Sequence, residues 1–146
     1  IAKERYEEAL TNLNNALKLT GSKNPQLLNK IYVNRGAVLQ KQQDFEKALQ
    51  NYSNALETDT TNPHVFMYRG NLYYRQDNYR EAIADFQQVL ELDPNNHVAQ
   101  YNVGMCYSRL GQKLNACDSF HKACELGNKN ACKMVINKCL RNSGSQ

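Results

Sequence analysis

Small and apolar residues return along this chain at a fixed interval. Gly36, Gly70 and Gly104 stand 34 residues apart, and each is followed by the same series. Ala48, Ala82 and Ala116 come first, then Tyr52, Phe86 and Phe120, then Ala55, Val89 and Ala123. Leu39, Tyr73 and Tyr107 follow the glycines closely, and Tyr32 and Phe66 precede two of them. This period predicts a helix–turn–helix array in which no unit can bury its apolar face alone. Helices are expected at 2–19, 25–41, 45–58, 63–76, 79–92, 97–110, 114–126 and 129–141. Asn24-Pro25 and Asn62-Pro63 each read as an N-cap followed by proline in the first turn. Asp93-Pro94-Asn95-Asn96 marks a break between units.

The first helix carries Tyr6, Ala9, Leu13 and Ala16, the pattern of the second helix of a unit that lacks its first. Ala9 lies 39 residues before Ala48, and the five extra residues are expected to lengthen the Pro25 helix by about one turn. The last helix sets Ala131, Cys132, Val135, Ile136, Cys139 and Leu140 against Lys133, Lys138 and Arg141, as a capping helix should. Within each unit the glycine is expected to face the alanine, Gly70 against Ala82 in the middle one, so that the two backbones approach closely.

Phe66, Gly70, Tyr73, Ala82, Phe86 and Pro94 fall where the tetratricopeptide repeat pattern places them, and the chain resembles that family. The resemblance implies an all-α, right-handed superhelical solenoid of helix–turn–helix repeats with a C-terminal capping helix. It divides one domain, 1–141, into 1–28 (the second helix of a truncated repeat and its connection), full repeats at 29–62, 63–96 and 97–130, and a cap at 131–141. Residues 142–146 are expected to form a disordered tail. Ile1 opens the chain inside a repeat, which predicts a piece of a longer protein. Arg35 and Arg69 occupy positions where the family prefers leucine, and packed aliphatic stems with polar heads reaching outward are expected there.

In this family the first helices of successive repeats line a concave groove that binds extended peptides or partner helices. The positions carried over are Asn34 and Lys41 from one helix, and Tyr68, Asn71, Tyr74 and Arg75 from the next. Tyr101, Asn102, Met105 and Arg109 come from the third. Tyrosines offer apolar area with a polar tip, asparagines can bond a peptide backbone, and the arginines suit a carboxylate. A protein or peptide ligand in that groove is therefore the expected partner. The acidic-peptide clamp of the co-chaperone members is not expected. In the better register its five positions hold Met67 and Asn71, then Asn102, then Cys132 and Ile136, and both required lysines are missing.

Four of the five cysteines gather at the C-terminus. Cys117 and Cys124 share one helical face, Cys132 and Cys139 another, and the set is symmetric about Asn128. An antiparallel hairpin brings Cys124 opposite Cys132 and Cys117 opposite Cys139, with helix spacing that overlaps the disulfide range. Buried thiols in a reducing compartment, or a zinc site from Cys117, His121, Cys124 and Cys132, are the alternatives. The run from Lys122 through Cys132 also resembles the cysteine-rich Sel-like repeat proteins, which bridge cysteines at this spacing. That resemblance implies an oxidising location, periplasmic, cell-surface or secreted, and a bacterial envelope source, with cytoplasmic the alternative. Cys106 is expected to be a buried free thiol.

Composition narrows the rest. A net charge of +4, spread along the chain, suits a solvated surface and not a nucleic-acid footprint. No apolar run is long enough to span a membrane. The histidines His64, His97 and His121 lack a nucleophile and an orienting acid, and no phosphate loop or His-Glu-x-x-His motif is present. The expectation is a non-enzymatic interaction module with no catalytic residue, no cofactor and no metal. The alternative is a Sel-like protein with a hydrolytic (β-lactam-type), redox or zinc-linked role.

Overall fold

The computed structural model describes residues 2–140; the predicted end of the last helix at Arg141 and the tail 142–146 lie outside them. Among the described residues eight α-helices follow one another: α1 Ala2–Thr20, α2 Pro25–Lys41, α3 Phe45–Thr58, α4 Pro63–Arg75, α5 Tyr79–Leu92, α6 His97–Arg109, α7 Lys113–Glu125 and α8 Lys129–Met134. A 3₁₀ turn, Gly21–Lys23, joins α1 to α2, and α8 runs into a π-helical segment, Val135–Cys139. The described residues contain no strand. The predicted lengthening of α2 is present: it has 17 residues, against 13 in both α4 and α6.

Capping residues set the helix starts. Asn24 Oδ1 accepts from the Leu27 amide at 3.0 Å, with Pro25 in the first turn. Asn62 Oδ1 accepts from the His64 amide at 3.0 Å, and Asn96 Oδ1 from Ala99 at 3.0 Å. Each removes one of the orphan donors of a helix start. Asp44 caps α3 through the Lys47 amide and pairs with its ammonium at 2.7 Å, and the side-chain bond to Lys47 holds the Asp44 carboxyl below its usual range.

The turns inside the hairpins repeat as strictly as the helices. Gln43, Asp77 and Gly111, each 34 residues after the last, all take positive φ, at 64°, 62° and 74°. After each, an amide reaches back to a helix carbonyl: Asp44 to Leu39, Asn78 to Tyr73 and Gln112 to Tyr107, all at 2.9 Å. Only the third turn supplies the glycine that this backbone favours.

Two compact units are distinguished, Ile1–Arg69 and Gly70–Gln146, with the boundary inside α4. In the first, α1 packs on α2 and α2 on α3. Ile31, Leu39, Ala48, Tyr52 and Ala55 form its buried interior. Tyr52 is 1% exposed, and its hydroxyl donates to Gln40 Oε1 at 2.9 Å; burial, with Tyr68 nearby, pushes its pKa up to about 12. Asn29 is also buried and donates through Nδ2 to the Ala55 carbonyl at 2.7 Å, tying α2 to the end of α3. Arg69 Nη1 donates to Ser53 Oγ at 3.0 Å, so its head does reach a polar neighbour.

In the second unit α5 packs on α6, α6 on α7 and α7 on α8. Ala116, Phe120, Ala123, Ala131 and Val135 make the core of its C-terminal end, with Tyr101, Met105 and Cys139 packed against it. Asn128 is buried at the start of α8. Its Oδ1 accepts from the Ala131 amide at 2.9 Å, and its Nδ2 donates to the His97 carbonyl at 3.3 Å.

The glycine of each unit meets an aromatic ring first, and at Gly104 the expected alanine partner follows, with the Ala116 carbonyl oxygen 3.3 Å from a built Cβ. A Cβ built on Gly70 meets the Phe86 ring at 2.8 Å and Asp85 Cβ at 3.2 Å, and Ala82 is not among its nearest neighbours. At Gly36 and Gly104 the nearest atoms belong to Tyr52 at 2.6 Å and Phe120 at 2.7 Å. The aromatic ring lies against the glycine, so the missing side chain makes room first for a ring.

Candidate binding site

Seven of the ten groove candidates belong to the second unit, and the structure gathers most of them. Asn71, Tyr74, Tyr101, Asn102 and Met105 line one cavity of about 170 Å³ between the end of α4 and α6. Their spacing explains the convergence. On α4, Asn71 and Tyr74 are three residues apart, and on α6, Tyr101, Asn102 and Met105 fall at the three- and four-residue intervals that share a helical face. Asn102 Nδ2 donates to Asn71 Oδ1 at 3.3 Å, which orients both amides at the mouth. Tyr101 lies against Phe120, ring centroids 5.8 Å apart, so the core below holds its ring.

Arg109 stands beside this cavity, its guanidinium carbon 5.9 Å from the Tyr74 ring centroid and its Nε donating to Tyr74 Oη at 3.3 Å. Tyr79 packs edge-on against Tyr74 at 5.4 Å. The hydrogen bond to Tyr74 raises the Arg109 pKa further, so the side chain is a permanent cation held on an aromatic rail. Arg75 is exposed at the end of α4. Such a surface can hydrogen-bond a peptide backbone, stack an apolar side chain and attract a carboxylate. In the first unit, Asn34, Lys41 and Tyr68 are exposed, and the Tyr68 ring stacks near His64 and tilts against Tyr52.

All four C-terminal cysteines are bonded in pairs. Cys124 joins Cys132 with Cα atoms 4.7 Å apart, and Cys117 joins Cys139 at 5.7 Å. This pairing engages every sulfur of the alternative zinc set. Among the described residues no group of three or more His, Cys, Asp or Glu side chains is arranged to hold a metal ion. Cys106 is a buried free thiol whose pKa burial pushes up to about 12, so it stays protonated and unreactive.

Sequence reasoning missed two features of this unit. One is the bond from Asn128 to His97, which anchors α8. The other is a cavity of about 310 Å³ beside the Cys117–Cys139 bridge. Asn128 lies 32 residues after Asn96, two short of the repeat period, so the interval gave no signal for the first.

Helical hairpins repeating every 34 residues, each with an aromatic ring seated on a glycine, define a helical repeat protein. Tetratricopeptide repeat family models match residues 36–77, 64–96 and 86–118. The chain is a tetratricopeptide repeat protein. No curated protein sequence matches it. Among solved structures it is similar to MamA, with 18% identity, TM-score 0.80 and coverage of 97% of this chain and 78% of that one. It is similar to YrrB, described as a tetratricopeptide repeat protein with an unusual peptide-binding site, at 25% identity and TM-score 0.73, covering 91% and 66%. The second such domain of human RPAP3, solved with the HSP70 peptide SGPTIEEVD, aligns at 25% identity and TM-score 0.70, covering 77% and 95%.

Proposed function

We propose that this chain is a non-enzymatic peptide-binding module that takes an extended peptide or helix on the face formed by Asn71, Tyr74, Tyr101, Asn102, Met105 and Arg109. The observation that carries the reading is the convergence of two amide side chains, two tyrosines and an aromatic-supported arginine on one cavity. The peptide-binding site described for YrrB and the HSP70-peptide complex of the RPAP3 domain support it. The lysine positions of the acidic-peptide clamp are not present here, so a different peptide chemistry is expected from that of the RPAP3 domain. Two disulfides in the last hairpin support an oxidising location, periplasmic, cell-surface or secreted.

Selection from a random peptide library, followed by titration of the selected peptides, tests the reading. Asn71→Ala with Asn102→Ala should weaken binding about tenfold, the loss of two or so hydrogen bonds, with little change in melting temperature. Selected peptides that bind this variant as tightly as the parent would remove the site.

A further inference from the structure

The cavity of about 310 Å³ at the C-terminal end is built from three segments that no local pattern joins. Ser108 comes from the last turn of α6, Lys113 and Cys117 from α7, and Asn137 and Lys138 from the π-helical segment. Its volume lies at the lower end of the range of small-molecule sites, enough for a compact ligand. The apolar part of the lining is Ala116, Cys117 and Phe120, and the polar part is Lys113, Lys138, Ser108 and Asn137. No carboxylate lines it. A lining of apolar residues with two lysines and two neutral hydrogen-bonding groups is complementary to an apolar body that bears one negative charge.

The wall is covalently assembled. Cys117 in the cavity is bonded to Cys139, the residue directly after Lys138. The same bond therefore fixes Asn137 and Lys138 against α7, in a segment whose π-helical winding is itself an uncommon feature that gathers at functional sites. We propose that this cavity binds a small organic acid, an apolar body with one carboxylate, and that the Cys117–Cys139 bridge keeps it in binding shape. The proposal is independent of the peptide-binding face, since none of the residues of that face lines this cavity.

Benzoate is the probe, with benzylammonium as the matched ring of opposite charge, and binding is read from amide NMR shifts of the isotope-labelled chain. Benzoate is expected to give saturable shifts at Gly111, Lys113, Asn137 and Lys138, and benzylammonium none there. Lys113→Ala with Lys138→Ala should weaken benzoate about tenfold, as expected for losing charge-assisted hydrogen bonds. Both lysines are exposed, so that variant keeps the fold. Cys117→Ser with Cys139→Ser should abolish saturation while helical circular dichroism from the remaining repeats persists. N-acetyl-phenylalanine beside its amide separates the two sources of the ligand: preference for N-acetyl-phenylalanine over benzoate assigns the site to a peptide's free C-terminus, and the reverse order to a free acid. Equal shifts with benzylammonium, or unchanged benzoate affinity in the lysine variant, overturn the proposed chemistry. Unchanged affinity in the serine variant overturns the role of the bridge.

Discussion

The two ends of this chain solve the same problem by different means. α1 has 19 residues and buries none of them, and its apolar residues Tyr6, Ala9, Leu13 and Ala16 are half-buried along its length. α8 has six residues before it passes into the π-helical segment, yet Ala131 is 0% and Val135 8% exposed, and two disulfides join this end to α7. A helix that packs on one side only is held weakly by burial alone. The first end spreads modest packing over five turns. The last end lowers the entropy of its unfolded chain with cross-links.

The largest expected effect separates the ends by their cores. Phe120→Ala removes a 1% exposed ring and should cost between about 3 and 5 kcal/mol, whereas Leu13→Ala in α1 should cost about 1 kcal/mol. Urea titration measures both, and equal losses would erase the contrast. Next come the cross-links. Cys117→Ser with Cys139→Ser opens a 22-residue separation, worth about 3 kcal/mol by chain entropy. Hydrogen exchange should quicken across 129–140 and stay unchanged in α1. Alkylation of protein purified without reductant should modify Cys106 alone, and only after unfolding, because burial keeps that thiol protonated.

A third experiment asks what the two units share. Gly36→Ala and Gly104→Ala each push a methyl to within 2.7 Å of a buried ring, and both should cost about 1–3 kcal/mol by thermal melting. A neutral result at either site would show that the ring moves aside. The turns give a smaller and opposite-signed pair. Gln43→Gly should stabilise the first unit by about 0.5–1 kcal/mol and Gly111→Ala destabilise the second by about 1 kcal/mol, because both positions hold a left-handed backbone. Smallest of all, Leu19→Glu should change stability by less than about 0.5 kcal/mol, since Leu19 is 88% exposed; a larger loss would mean that α1 is held by more than its inner face.

The residues legible in advance were those whose signal is local. Asn24-Pro25, Asn62-Pro63 and the 34-residue return of Gly36, Gly70 and Gly104 fixed every helix start to within one residue, because capping and periodicity act over a single turn. The pairing of the four cysteines was readable as one alternative, as helical spacing about Asn128 sets which sulfurs can meet. The groove candidates were legible as family positions, and Asn71, Tyr74, Tyr101, Asn102 and Met105 were on that face already.

Contacts between helices were not legible, and they decided the rest. That the Phe86 ring is the nearest neighbour of Gly70 depends on the rotation of α5 about its axis, which period alone leaves undetermined within a residue or two. The positive φ at Gln43 and Asp77 hides behind residues that do not announce it, since the hairpin imposes the conformation against their preference. The cavity around Lys113 and Lys138 draws on α6, α7 and the π-helical segment, which lie far apart along the chain and meet beside the Cys117–Cys139 bridge. Sequence determined the helices and their order, for these follow from short-range sterics and hydrogen bonding, and left the cysteine pairing as one of several alternatives. Tertiary packing determined which ring covers which glycine and where cations converge, for these depend on distances through space that no interval along the chain encodes.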